Sequence, residues 1–506
     1  MRYNILIGGA AGQGINKISQ IVSEVLSDYG YFTFNYRDYP SLIREGHNFN
    51  VLSLSNKQIM STDSKINIIV ALDHNTKIIH ENSLEKGGII LSSENFKDLD
   101  KNLNIALAGA LIKIIGIPQH CLIKTVKKHF NNIKALEAAK KGFLSQDDKW
   151  KLKKLKNKTT ILSGSKAVAI GAKKSKLSLY IAYPMTPATG TMHELASMQN
   201  KDLMVFQAEN EIAVVNSALG ASFTGKITMI GTSGGGFDLM SETFSLQGIS
   251  EIPLTVYLAS RPGPGTGVPT YTAQSDLNIA LYSGHGEFSR IVCAPGDTNE
   301  AIEKTNELLY LSEKCRTLSI LLSDKHLAES EYAIKENPNK IIPIIISRNL
   351  PGKKIVKASS YEINKLGNST ESATLTEKNV DKRLQKKLTI EKECNKFEMV
   401  KIHGKKKSKN LIIGWGSTKG AIIDSIQNLD AKFLQILYMT PFSPKIKEEI
   451  KKANKIILIE NNATGQLGQL IRREIGIEIK KKILKYDGRP FYCNELNKQI
   501  KKELKK

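Results

Sequence analysis

Short apolar runs alternate with amphipathic stretches along most of the chain, and glycine or proline marks several of the junctions between them. The first such unit is the run Tyr3–Ile7, the turn Gly8-Gly9-Ala10-Ala11-Gly12-Gln13-Gly14, and a stretch with Ile15, Ile18, Ile21, Val22 and Val25 at helical spacing. A strand, a turn and an amphipathic helix in that order predict a βα unit of a parallel sheet. Further strands are expected at Tyr31–Asn35 and Ile66–Leu72, then at Ser178–Ala182, Leu203–Gln207, Ile227–Gly231 and Leu254–Ala259 in alternation with helices. Asp297 and Glu300 have the spacing of a capping box for a helix continuing through Leu309. Near the end, Asn410-Leu411-Ile412-Ile413 enters a Gly/Ser turn ahead of a helix over Ala421–Gln427, and Lys455–Glu460 is another buried strand.

This pattern predicts an α/β protein with three parallel-sheet domains. Their expected bounds are 1–145, 163–335 and 406–506, with a charged linker over 146–162 and a polar, irregular connector over 336–405. A chain of 506 residues is too long for one core, which agrees with that division.

Composition narrows the field. No apolar run reaches the length of a membrane span, and the opening Met1-Arg2-Tyr3-Asn4-Ile5 passes straight into a strand pattern, so a cytoplasmic location is expected. Five cysteines, at 121, 293, 315, 394 and 493, form no Cys-x-x-Cys pair, so neither a disulfide framework nor a zinc or iron–sulfur site is expected in this chain. The formal charge of +24 invites a nucleic-acid reading, but the lysines are spread along the chain with Ile and Asn, and no nucleic-acid-binding motif accompanies them.

Four stretches at strand ends carry the candidate chemistry. Tyr183-Pro184-Met185-Thr186-Pro187-Ala188-Thr189 holds a threonine hydroxyl between two prolines, although an ordinary proline-rich turn has the same look. In Gln207-Ala208-Glu209-Asn210-Glu211, the acid Glu211 stands at a helix start, where the dipole favours any carboxylate. Thr232-Ser233-Gly234-Gly235-Gly236-Phe237 links a strand to a helix and can turn backbone N–H groups toward a ligand, as many glycine turns do. Arg261, leaving a strand into Pro262-Gly263-Pro264-Gly265-Thr266-Gly267-Val268-Pro269-Thr270, can clamp a carboxylate bidentately, with Thr270 adding a hydroxyl.

Taken together and in this order, the four stretches resemble the alpha subunits of 2-oxoacid:ferredoxin (acceptor) oxidoreductases. Gln274-Ser275-Asp276-Leu277, Gly284-His285-Gly286-Glu287-Phe288, Ser359-Ser360-Tyr361-Glu362, Pro441-Phe442-Ser443-Pro444, Glu460-Asn461-Asn462 through Gly465-Gln466-Leu467, and Tyr486-Asp487-Gly488-Arg489-Pro490-Phe491 extend the likeness. The glycine-rich start and Arg44-Glu45-Gly46-His47-Asn48 are similar to the gamma domain fused ahead of alpha in many members; a dinucleotide fingerprint fits poorly there, because Ala11 stands where it needs glycine. The chain departs from the usual pattern at Gly164-Ser165-Lys166, Met185, Gly235 and Gly265, changes that bear on substrate fit more than on the cofactor.

The resemblance implies a central domain like the pyrimidine domain of thiamine-diphosphate enzymes and a last domain like the C-terminal domain of transketolase. It implies Glu211 and Thr186 as catalytic residues, with Thr186, Arg261 and Thr270 on the 2-oxoacid. Tyr183, Pro184, Glu211, Thr232, Ser233 and Gly234 would contact thiamine diphosphate. Magnesium, the diphosphate and the iron–sulfur cluster would belong to a separate beta subunit, since no Gly-Asp-Gly with a downstream Asn is present here. Ferredoxin and coenzyme A complete the implied partners, with no nucleic acid or membrane. The implied reaction is oxidative decarboxylation of 2-oxoglutarate, or of pyruvate, to acyl-CoA. A non-oxidative thiamine-dependent decarboxylase and a non-catalytic scaffold subunit are the competing readings.

Overall fold

The computed structural model describes residues 2–40 and 46–505, with Asp100 described for its backbone alone. Arg44 and Glu45 of the stretch 44–48 therefore lie outside the described residues. The described residues form three sheets in two compact units, neither continuous in sequence: one unites 1–163, 330–337 and 491–498, the other 164–329, 338–490 and 499–506.

In the first unit, seven strands run in the order Leu84–Ser92, Ile66–Ala71, Arg2–Gly9, Asn48–Ser55, Phe32–Asp38, Glu331–Ile334 and Thr160–Ser163. The helix Ile15–Asp28 follows Arg2–Gly9 and buries Ile15, Ile18, Ile21, Val22 and Val25, as their spacing predicts. The sheet is mixed rather than wholly parallel, because Asn48–Ser55 inserts antiparallel between Arg2–Gly9 and Phe32–Asp38. That strand escapes an apolar-run search because its polar residues are buried too: Asn50 donates to Asn16 and Ser19, and Ser53 donates to Asn4. The charged stretch 149–158 is held to this unit and is no free linker. Trp150 stacks on Tyr3 with ring centroids 4.0 Å apart, Leu152 is buried, and the Leu155 N–H donates to the Tyr29 carbonyl.

The second unit holds two sheets over one core. Its larger sheet runs Tyr438–Thr440, Arg290–Cys293, Leu318–Asp324, Leu254–Ser260, Thr228–Thr232, Leu179–Ala182 and Met204–Gln207. All neighbours are parallel except the edge strand Tyr438–Thr440. The smaller sheet runs Val400–Gly404, Lys432–Ile436, Asn410–Trp415, Lys455–Glu460 and Lys482–Leu484, antiparallel only at its first strand. Ile230, Val256, Leu258 and Ile320 from the larger sheet share a continuous apolar cluster with Leu411, Ile413, Leu434 and Leu458 from the smaller one. The connector is less irregular than its composition implies. Ala373–Cys394 is a 22-residue helix that buries only Ile390, Glu393 and Cys394, too few apolar positions to leave a periodic trace. Among the described residues no helix is long and apolar enough to cross a membrane.

Charge also ties this unit together. Asp297 caps the helix Thr298–Cys315 by accepting from the Glu300 N–H at 2.9 Å, and Glu300 accepts from the Gly296 N–H at 2.8 Å. Lys419, in the helix Thr418–Ile426 of the smaller sheet's layer, reaches both carboxylates at 2.6 Å and is 5% exposed. Against the cost of burial, Lys419 and Lys401 hold Glu300 well below the usual carboxylate range. Lys419→Met is expected to cost about 3–5 kcal/mol, since it leaves two buried carboxylates short of a cation. A denaturant midpoint measures this, and adding Glu300→Gln should recover part of the loss. The contribution of Glu300 is complete above its unfolded value near 4.5 and is lost as pH falls toward the lower folded one.

Candidate active site

The larger sheet of the second unit reverses its strand order beside Leu179–Ala182: the chain leaves that strand for Met204–Gln207 on one side and returns as Thr228–Thr232 on the other. At such a switch point the loops at the carboxyl ends diverge and leave a crevice. The four candidate stretches follow Leu179–Ala182, Met204–Gln207, Thr228–Thr232 and Leu254–Ser260, so all lie on that carboxyl edge.

Glu211 is the first residue of the helix Glu211–Phe223, where Asn210 caps by accepting from the Ala213 N–H at 2.9 Å. Capping by Asn210 frees Glu211 from that duty. Its side chain is buried, and among the described residues its carboxylate takes no hydrogen bond or ion pair. It lies against Gly236 in the first turn of the helix Gly234–Leu239, which follows Thr228–Thr232. A Cβ on Gly236 would stand 2.8 Å from Glu211 Cγ and 2.9 Å from Oε1, and would also collide with Thr232 Oγ1. Gly235, by contrast, has open space at its Cβ position.

Arg261 joins two of the loops: its Nη1 donates to the Thr186 carbonyl at 2.9 Å, which leaves most of its donors unused among the described residues. Burial lowers its pKa, and the nearby Asp276 opposes that shift. The hydroxyls of Ser233 and Thr270 are buried without a hydrogen-bond partner among the described residues. Thr232 is also buried, its hydroxyl donating to the Ser233 carbonyl at 3.3 Å. The structure thus brings Glu211 to Thr232 and Gly236, and Thr186 to Arg261. Thr270 makes no hydrogen bond to Arg261, and Tyr183, 38% exposed, and Pro184 make none from their side chains among the described residues.

One residue of this neighbourhood carries no expected role from its sequence position. Asp276 precedes a helix, the usual place for a capping acid, yet its side chain turns instead toward Gly234. A separate cavity of 530 Å³, bordered by Asn216, Glu242, His285 and Arg383, lies apart from the four stretches.

The buried hydroxyls of Ser233 and Thr270, without partners among the described residues, thus stand in an α/β protein at the carboxyl edge of a sheet, where open α/β sheets leave their ligand crevice. Residues 170–399 match the family described as pyruvate flavodoxin/ferredoxin oxidoreductase, thiamine diphosphate-binding, and residues 4–129 match the pyruvate ferredoxin/flavodoxin oxidoreductase family. The chain is 29% identical to the 2-oxoacid:ferredoxin oxidoreductase subunit alpha of a Sulfolobus species, over all of this chain and 97% of that one. It is also 29% identical to 2-oxoacid:ferredoxin oxidoreductase 1, subunit alpha, of Sulfurisphaera tokodaii, over all of this chain and 98% of that one. The fold matches 2-oxoglutarate:ferredoxin oxidoreductase from Magnetococcus marinus with a TM-score of 0.89, at 24% identity and 99% coverage of both chains. The chain belongs to the 2-oxoacid:ferredoxin oxidoreductase family, a family of oxidoreductase enzymes, as a subunit of the alpha type.

The two neighbouring glycines give a clean contrast. Gly236→Ala is expected to cost about 1–3 kcal/mol of stability through overpacking and to displace Glu211. Gly235→Ala should be neutral or stabilising by up to about 1 kcal/mol from helix propensity alone. Thermal unfolding of the two variants side by side measures the difference.

Proposed function

We propose that this chain is the half of a 2-oxoacid:ferredoxin oxidoreductase that activates thiamine diphosphate and holds the 2-oxoacid. The observation that carries the reading is Glu211: a side chain only 7% exposed, whose carboxylate has no protein partner among the described residues and opens to the crevice, set beside Gly236 and on the same sheet edge as Arg261 and Thr186. The orphaned hydroxyls of Ser233 and Thr270 point the same way.

In this reading, bound thiamine diphosphate supplies the nucleophilic carbon and the electron sink for decarboxylation. Glu211 holds the proton shared with the aminopyrimidine ring. Tyr183, Pro184, Thr232, Ser233 and Gly234 form the wall on which the cofactor rests. Arg261 and Thr270 hold the substrate carboxylate, and Thr186 offers its hydroxyl to the keto oxygen. The hydrogen bond from Arg261 to the Thr186 carbonyl keeps the two substrate-binding loops at a set distance.

Segment by segment, we assign 1–145 to a gamma-type domain, 163–335 to the pyrimidine-type domain, and 406–506 to a domain like the transketolase C-terminal one. A beta subunit would bring the diphosphate and magnesium site and the iron–sulfur cluster, pass electrons to ferredoxin, and complete the site. Exposed apolar residues near the crevice support such a cover: Phe206 on the sheet's edge strand is 49% exposed, and Ile212, beside Glu211, is 51% exposed. Coenzyme A takes the acyl group in the cytoplasm. 2-Oxoglutarate is the favoured substrate, because gamma-type and alpha-type segments are joined in one chain, and pyruvate is the alternative.

The test is co-expression with a beta subunit, followed by coenzyme A-dependent reduction of ferredoxin with each 2-oxoacid. Glu211→Gln should lower kcat on the order of 10²–10⁴-fold, the usual worth of a positioned proton-transfer group, without dissolving the complex. Full activity in that variant would favour a scaffold role. Arg261→Gln should lower kcat/KM by roughly ten- to a hundred-fold, through loss of a charge-assisted contact of about 1.5–3 kcal/mol.

A further inference from the structure

The site has a second carboxyl that the reading above does not use. Asp276 precedes the short helix Leu277–Tyr282 but makes no side-chain cap bond to it. Its carboxyl is turned onto the same glycine turn that Glu211 meets: a Cβ on Gly234 would stand 2.7 Å from Asp276 Oδ2, as one on Gly236 would press on Glu211. Only glycine at 234 leaves room for it. Among the described residues Oδ2 is shut off from solvent and closes no hydrogen bond.

This placement is held firmly from below. The Gln274 side chain donates to the Trp415 carbonyl at 2.8 Å and accepts from the Asn461 N–H at 2.9 Å, while the Gln274 N–H donates to the Asn461 carbonyl at 2.7 Å. Asn462 donates to the Gln274 carbonyl at 3.0 Å and Gln466 to the Ser275 carbonyl at 2.7 Å. The motif running from Glu460 to Leu467, otherwise without a role, is thus the seat of the segment that carries Asp276. Ser275 Oγ lies within reach of Asp276 Oδ1 at 3.1 Å and of the Arg261 carbonyl at 3.3 Å, linking Asp276 to the carboxylate clamp.

We propose that Asp276 is a proton-carrying residue on the substrate side of this site, which takes a proton from solvent when the carboxylate of a 2-oxoacid settles at Arg261. The inference rests on the 2-oxoacid reading of the same site. Its physical basis is charge: an incoming anion meets Arg261, which is positive, and an Asp276 carboxylate with an unsatisfied buried oxygen. Protonation removes the repulsion and gives Oδ2 a hydrogen to donate. Burial pushes the Asp276 carboxyl up to about 6, helped by Asp238 on the helix Gly234–Leu239. Ser260, Ser275 and Arg261 oppose the rise, although Ser260 closes no regular hydrogen bond. In the free protein the group therefore changes state close to neutrality, where a nearby anion can move it.

The experiment is calorimetric titration of the complete, thiamine-loaded complex with oxamate and with N-oxalylglycine, in buffers of different ionisation enthalpy. These are amide isosteres of pyruvate and 2-oxoglutarate that bind without being decarboxylated. Wild type should take up close to one proton per site at about pH 7.5, falling toward zero at about pH 5, where Asp276 is already protonated. Affinity should weaken by up to about tenfold per unit of pH above the free carboxyl's value, and Asp276→Asn should abolish both effects while still binding. Binding without proton uptake, or uptake that persists in Asp276→Asn, overturns the inference alone. Failure of both ligands to bind wild type overturns the 2-oxoacid reading and this inference with it. If Asp276→Asn does not assemble, the wild-type curve still decides: a midpoint near 6 supports Asp276, and a flat curve sinks it.

Discussion

Lys419 ties together the two halves of the larger unit. It comes from the layer of the smaller sheet and finds both its carboxylates, Asp297 and Glu300, at the start of a helix that belongs with the larger one. Gln435 donates to Glu300 Oε2 at 2.7 Å and Lys401 lies 3.1 Å from Oε1, so the acid is satisfied from several sides. A buried charge so completely paired specifies one relative placement of the two layers, because any other leaves carboxylates uncompensated. The apolar cluster shared by both sheets supplies area without direction. The ion network supplies the direction.

That placement matters for the site because part of the site's support comes from the far layer. Asn461, Asn462 and Gln466 grip Gln274 and Ser275, and Trp415 accepts from the Gln274 side chain. Glu460, at the end of its strand, accepts from the Trp415 indole at 3.1 Å, from the Asn462 amide at 2.8 Å and from the Leu467 and Gly468 N–H groups. Burial raises its pKa, and these four donors oppose the rise. The C-terminal segment thus acts as a buttress under a crevice whose chemistry lies on another sheet.

Much of this was legible before any coordinates. The βα alternation placed the strands it named within one to three residues, though it named none over Leu84–Ser92, Arg290–Cys293, Leu318–Asp324 or Lys432–Ile436, and the Asp297 cap and Glu211 helix start fell where spacing put them. The antiparallel strand Asn48–Ser55 was not legible, since its buried Asn and Ser side chains break the apolar run that marks an interior strand. The helix Ala373–Cys394 was masked for the opposite reason: it buries so little that lysine and glutamate hide its period. Asp276 stood out in the sequence only as one residue of the stretch Gln274-Ser275-Asp276-Leu277, and nothing local reveals that Gly234, 42 positions earlier, makes room for its carboxyl.

Local order in the chain dictated strand, turn and helix, and with them the ends of strands where Thr186, Glu211, Thr232 and Arg261 stand, because periodicity and turn chemistry act over a few residues. Whether those ends converge depends on strand order, which brings Leu179–Ala182 between Met204–Gln207 and Thr228–Thr232. Where each carboxyl comes to rest depends on glycines tens of positions away, and which amides hold the loops still depends on contacts across more than a hundred residues of chain. No window along the sequence contains both sides of such a contact, so the packed fold alone resolves it.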